Sequence, residues 1–180
     1  MRQDDYPQII VITGIMASGK STVAELLARR FPRSVHLRGD LFRRLIVNGR
    51  VPIRPGFPDD DALQLRLRHR LTAQAADTYA REGFTVVVQD IIIGEFMAEF
   101  IDSIVSRPLA LVVLQPRAGV VRRREAERPK TGYVGGWTVD GLDQLFRSTT
   151  PRRGLWLDNS EQTPDETVAE LLERLSEALV

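Results

Sequence analysis

Hydrophobic residues recur along this chain in two alternating rhythms. Short runs dense in β-branched and aliphatic residues, at 8–13, 34–38, 84–89, 109–114 and 154–157, predict buried strands. Between them, apolar positions return at helical spacing near 20–31, 41–48, 60–82, 95–106, 118–128 and 139–147, with a last such stretch at 164–179. In the first of these, Val23, Leu26, Leu27 and Phe31 mark one face. In the long one, Leu63, Leu67 and Leu71 form a stripe that reads as a core face. Arg66, Arg68, His69 and Arg70 then read as a largely solvated surface rather than a basic patch for nucleic acid. Strands alternating with helices predict a parallel sheet covered on both faces, an α/β fold. Thr163, Pro164 and Glu166 spell a capping box with proline at the first helical position.

Two stretches follow neither rhythm. Residues 48–58 carry Gly49, Pro52, Pro55, Gly56 and Pro58, and residues 129–137 carry Gly132, Gly135 and Gly136. Such loops at the ligand face of an enzyme read as substrate-binding or lid segments. Tyr133 and Trp137 in the second could stack on a ligand or anchor the loop.

One motif carries chemistry by itself. Gly14-Ile15-Met16-Ala17-Ser18-Gly19-Lys20-Ser21 reads G-x-x-x-x-G-K-S, the phosphate-binding P-loop. It follows a predicted strand and opens a predicted helix, which is the context its mechanism requires. Gly14 and Gly19 let the backbone curl so that its N–H groups surround phosphate oxygens, with Ala17, Ser18 and Thr22 completing the nucleotide contacts. Lys20 would reach the outer phosphates and Ser21 would ligate Mg²⁺. The helix adds its positive end.

Composition narrows the setting. At 180 residues, the length suits one domain spanning 1–180. A net charge of +1 gives no bulk field toward nucleic acid or membrane. The basic residues are almost all arginine, with lysine only at Lys20 and Lys130. With no cysteine, disulfides and thiolate chemistry are absent, and His36 and His69 alone do not make a metal site. No stretch approaches the roughly 18 apolar residues of a membrane span. The first residues, Met1 to Pro7, lack the apolar core of a signal peptide, so a cytoplasmic location is the default expectation.

Further residues lie where parallel sheets bind ligands, beyond the carboxyl ends of strands. Asp40 closes Val35-His36-Leu37-Arg38-Gly39-Asp40 and is positioned to take a proton from an attacking hydroxyl, although an aspartate there also suits a helix cap. Gly39 is expected to let the backbone turn sharply. Arg43, one turn on, is a candidate to hold an anionic substrate group, whereas Arg44 is expected to face elsewhere. Asp90 ends an apolar run in the manner of a Walker B strand, and its contact with metal or with substrate stays open. Ile91, Ile92 and Ile93 after it suggest a buried pocket wall. Arg124 and Arg128 share a helix face and would neutralise a transferring phosphoryl group from a lid at about 118–147. The loop after 154–157, Asp158-Asn159-Ser160, would lie near an adenine ring.

Taken together, Gly14 to Ser21, Asp40, the Val-Val-Val-Gln89-Asp90 run, and Arg124-Glu125 with Arg128 resemble the small P-loop kinases, with order and spacing most similar to chloramphenicol phosphotransferase and its relatives. The resemblance implies a three-layer, nucleoside-kinase-like P-loop NTPase fold with a five-stranded sheet ordered 2-3-1-4-5. It implies ATP and Mg²⁺ as co-substrates, Asp40 as general base, and Lys20, Arg124 and Arg128 around the transferring phosphate. The Asp40-Leu41-Phe42-Arg43 pattern also resembles polynucleotide 5′-kinases and adenylylsulfate kinases. The stretch from Gly49 to Asp60 departs from the chloramphenicol enzymes. The expected activity is therefore phosphorylation of a hydroxyl on a small molecule, an antibiotic or nucleoside-like compound. The alternatives are a polynucleotide 5′-hydroxyl kinase and an ATPase or switch without an acceptor. Acceptor identity, ATP against GTP, and oligomeric state are left open.

Overall fold

The structure is a computed structural model that describes residues 6–129 and 132–180. Lys130 and most of the N-terminal segment read above lie outside the described residues. Five strands, β1 (Ile9–Thr13), β2 (Ser34–Arg38), β3 (Thr85–Gln89), β4 (Leu109–Leu114) and β5 (Leu155–Leu157), form one parallel sheet in the order β2-β3-β1-β4-β5. The expected order is the observed one. β1 lies at the centre with every residue buried, which is why its sequence is a continuous aliphatic run rather than an alternation. Ile9 and Val11 belong to the core on one face, Ile10 and Ile12 to the core on the other.

Helices cover both faces. α1 (Lys20–Ala28) and α7 (Pro164–Arg174), followed by a 3₁₀ turn at Leu175–Ala178, pack on one side. α3 (Asp59–Arg81), α4 (Glu95–Ser103), α5 (Ala118–Ala126) and α6 (Val139–Thr149) contribute to the other. α7 starts with the capping box expected for Thr163 and Glu166. The stretch expected to be helical at 41–48 gives only α2 (Asp40–Arg44), after which the chain enters the Pro- and Gly-rich loop.

The core face of α3 is not the leucine stripe. Leu63 is 63% exposed and Leu67 38% exposed, while Ala62, Leu65, Ala73, Ala76 and Ala80 are buried. Small residues let the helix approach the sheet closely, so the less hydrophobic stripe packs. The same face buries two carboxylates because each has hydrogen-bond partners. Asp61 accepts from Arg54 through its backbone N–H (2.8 Å) and its guanidinium (2.8 and 3.1 Å). Asp77 accepts the N–H groups of Val105 and Ser106 (2.8–3.2 Å). His69 lies against Phe96 and Phe100, and burial, with Arg68 and Arg66 nearby, lowers its pKa to about 3, so it stays neutral.

Candidate active site

β1 delivers the chain into the P-loop. Gly14 has φ 142°, and a Cβ there would meet the Leu114 carbonyl oxygen at 2.3 Å, so only glycine permits this approach to β4. Ala17 (φ 62°) and Gly19 (φ 99°) are also left-handed, the conformation that aims successive N–H groups into a concavity. Gly14 and Ser18 shape the loop, while Ala17, Gly19, Lys20, Ser21 and Thr22 line a cavity of about 490 Å³. The loop is pinned from outside: the Ser18 carbonyl accepts Asn159 Nδ2 (3.1 Å) and Arg124 Nη1 (3.4 Å), and Arg124 Nη2 donates to Asn159 O (3.0 Å). The loop after β5 therefore buttresses the P-loop.

Lys20 is buried, and its Nζ donates to Ile15 O at 2.6 Å. Burial, reinforced by Arg128 and Arg68, lowers its pKa to about 7. The cavity holds Lys20, Arg38, Arg44, Arg68, Arg124 and Arg128 against the carboxylates Asp40 and Asp90. Six basic groups facing two acidic ones, in a chain of net charge +1, concentrate positive potential where polyphosphate would lie.

Asp40 opens α2 and faces this cavity half-buried. The N-cap position of the helix is Gly39 rather than Asp40. Asp40 pairs with Arg44, so Arg44 also belongs to the cavity rim, contrary to the expectation that it faces elsewhere. Gly39 is not a turn device, because its φ of −60° is ordinary. A Cβ there would sit 2.1 Å from Asp90 Oδ2, so glycine provides space for that carboxylate.

Asp90 is 2% exposed and committed on both oxygens. Arg68 Nε donates to Oδ2 at 2.7 Å, Arg68 Nη2 pairs with Oδ1, and Oδ1 also accepts the Ile91 N–H at 2.7 Å. Arg68 is thus a buried member of the site and not the solvated residue expected. Arg38, Arg44, Arg68 and Gln89 were all missed as site residues. Arg38 and Gln89 end strands, and reading every polar strand-end residue against the carboxyl-end rule finds them. Among the described residues no cluster of three acidic or histidine side chains could hold a metal. The donor set near the P-loop is Ser21 Oγ, which donates to Gln89 Oε1 at 3.2 Å, with Asp90 behind it. That fits Mg²⁺ held mainly by phosphate oxygens and waters, its usual habit.

A second cavity of about 250 Å³ adjoins the first, sharing Met16, Arg68 and Ile91 with it. Ile91 and Ile93 line it while Ile92 packs in the core, as expected for a buried wall. Both irregular loops close over it. The 48–58 segment is tied to α3 through Arg54–Asp61 and through Gln64, whose Oε1 accepts Val51 N–H (3.1 Å) and whose Nε2 donates to Gly49 O (2.6 Å). The lid loop is anchored rather than free to stack: Tyr133 OH donates to Met16 O (2.9 Å), and Trp137 Nε1 to Ile53 O (2.7 Å). Arg128 lines the first cavity beside Glu125 (3.0 Å). Arg43 lines the second, with Nη2 donating to Val51 O at 2.8 Å.

This sheet order with a P-loop after β1 defines a P-loop kinase fold. Residues 9–147 match the AAA domain family, and the chain belongs to it. A search among curated proteins finds no match. Among solved structures, the chain is similar to a sugar kinase of Janibacter sp. HTCC2649 (19% identity, 94% of this chain and 95% of that one, TM-score 0.70). It is also similar to the APS kinase of Mycobacterium tuberculosis in complex with AMPPNP and APS (24%, 93% and 96%, 0.66). A third is a tunicamycin resistance protein of Deinococcus radiodurans (19%, 96% and 97%, 0.62). These likenesses show the fold. No helix among the described residues is long and apolar enough to cross a membrane.

Proposed function

We propose that this chain is an ATP- and Mg²⁺-dependent kinase that phosphorylates a hydroxyl group of a small molecule, working as a single cytoplasmic domain with 118–147 as its lid. The observation that carries the reading is the junction of two unlike cavities. One is cationic, built on the P-loop with Asp40 in its wall, the other is apolar, and Met16, Arg68 and Ile91 lie where they meet. A hydrolase has no use for the second cavity. The structural neighbours named as sugar and APS kinases support the same reading. The tunicamycin resistance protein and the resemblance to chloramphenicol phosphotransferases support an antibiotic or nucleoside-like acceptor.

The residues then divide the work. Ala17, Gly19, Lys20, Ser21 and Thr22 bind the phosphates, on a loop whose shape Gly14 and Ser18 set. Ser21, with Asp90 acting through water, would hold Mg²⁺, which neutralises phosphate charge when bound. Asp40 accepts the proton of the acceptor hydroxyl as its oxygen forms the new bond to phosphorus and the bond to the bridging oxygen breaks. Lys20, Arg124 and Arg128 stabilise the charge on the moving group. Asp90 fixes the Arg68 fork. The two loops exclude water, a competing acceptor.

The test is ADP release measured with ATP and Mg²⁺ across sugars, antibiotics, nucleosides and 5′-hydroxyl oligonucleotides. The expected result is release that depends on one small-molecule class. ADP release at the same rate without any acceptor would overturn the kinase reading, and oligonucleotide dependence would move the acceptor to nucleic acid.

A further inference from the structure

The acceptor cavity has an unusual donor balance. Its side-chain walls are Ile53, Phe57, Ile93, Trp137 and other apolar groups, and among the described residues its only charged members are Arg43 and Arg68. Among the described residues, no lining side chain offers a hydroxyl, amide or carboxylate. Guanidinium groups donate and never accept. A polyol entering here would bury several O–H groups with no side-chain acceptor, and each unmet donor costs free energy.

The two arginines differ. Arg68 is neutralised by the Asp90 fork. Arg43 carries no such partner: one Nη2 hydrogen goes to Val51 O, and the buried Nε–H finds no acceptor among the described residues. The nearby carboxylate, Asp61, is taken by Arg54. The Arg43 guanidinium lines the apolar cavity without a carboxylate partner among the described residues, and such a group fits an anionic oxygen from a ligand. Phe57 sharpens the picture. It holds φ 48°, rare for a bulky residue, and its ring stands between Phe96 (5.1 Å) and Trp137 (5.9 Å) at the cavity wall.

We infer that the acceptor is a hydroxy acid with an apolar, ring-sized body, its carboxylate held by Arg43. The inference rests on the kinase reading for its hydroxyl and extends it to the substrate class. Asp40 and Arg43 are three residues apart on α2, and such pairs have Cβ atoms about 5–6 Å apart. The hydroxyl and the carboxylate therefore lie on the α2 side of the ligand, about one helical turn from each other. The ring points to Phe57 and Trp137.

The experiment compares 3-(hydroxymethyl)benzoate, its uncharged primary amide and glucose. Binding is measured by titration calorimetry with a non-hydrolysable ATP analogue and Mg²⁺ present, and transfer by ADP release with ATP. The full chain is compared with Arg43→Gln and Arg43→Lys, and analogue affinity serves as the folding control. The expected result is that the acid binds at least about tenfold tighter than the amide or glucose. That preference is lost in Arg43→Gln and partly kept in Arg43→Lys. Equal or better binding of amide or glucose overturns the inference, as does acid binding indifferent to Arg43→Gln, and so does failure of all three to bind while the analogue still does. Acid that binds through Arg43 but is never phosphorylated supports the site and sinks the kinase reading instead.

Discussion

Around Lys20 the active site is made of consecutive backbone. Eight residues, Gly14 to Ser21, form the phosphate cradle, and its special angles lie at Gly14, Ala17 and Gly19. Around Arg43 nothing is consecutive. Ile53 and Phe57 come from one loop, Ile93 from the end of the sheet, and Trp137 from the lid, each held by contacts to a different element. Phosphate is the same in every nucleotide, so a local backbone motif can bind it. An acceptor is particular, and its cavity is assembled by tertiary structure from exchangeable side chains. The phosphate end should therefore be intolerant of change in any assay, and the acceptor end tolerant in stability yet altered in preference.

Breaking the phosphate end gives the largest expected effect. Lys20→Ala should cut transfer by ~10³-fold or more with every acceptor, read as kcat/KM. In the wall of the same cavity, Asp40→Asn should lower transfer ~10²–10³-fold while calorimetric ATP affinity stays within a few-fold. Full activity in that variant would remove Asp40 as the base. Arg68→Ala leaves Asp90 buried without its counterion and should cost about 3–5 kcal/mol in urea unfolding, with Arg68→Met/Asp90→Asn recovering much of it. Lys20 also makes binding pH-dependent. Its pKa lies near 7 in the ligand-free protein, and phosphate favours the charged form, so above pH 7 nucleotide binding takes up a proton. Affinity should fall by up to about tenfold per pH unit above 7. Calorimetry at pH 8 in buffers of different ionisation enthalpy should detect the uptake, which should shrink toward pH 6. The smallest effect belongs to the acceptor end: Trp137→Phe removes one hydrogen bond to Ile53 O, and should raise acceptor KM only about fivefold at unchanged ATP KM.

The same contrast explains what could be read in advance. Strands and the P-loop were legible because each is specified locally, by β-branched runs and by glycine spacing. Two of the five strands, 34–38 and 109–114, match to the residue. The acidic strand-end residues were legible through topology, since Asp40 and Asp90 follow β2 and β3. Arg68 was not. It sits mid-helix among Arg66, His69 and Arg70, and only the packing of α3 distinguishes the arginine that reaches Asp90 from the one that reaches Glu95 and Glu99 on α4. The leucine stripe misled for a related reason. Residue size, which decides how near a helix can come to a sheet, outweighed hydrophobicity. Gly39 shows the limit from another side, because its role depends on a carboxylate fifty-one positions away in the chain, Asp90.

Met16, Arg68 and Ile91 form a common partition between the two chambers. A wall shared in this way transmits occupancy. If filling one chamber shifts the Arg68 fork, the other must feel it, and thermodynamic reciprocity makes the influence equal in both directions. Nucleotide and acceptor would then help or hinder each other by the same factor, a property written into one arginine rather than into either binding pocket.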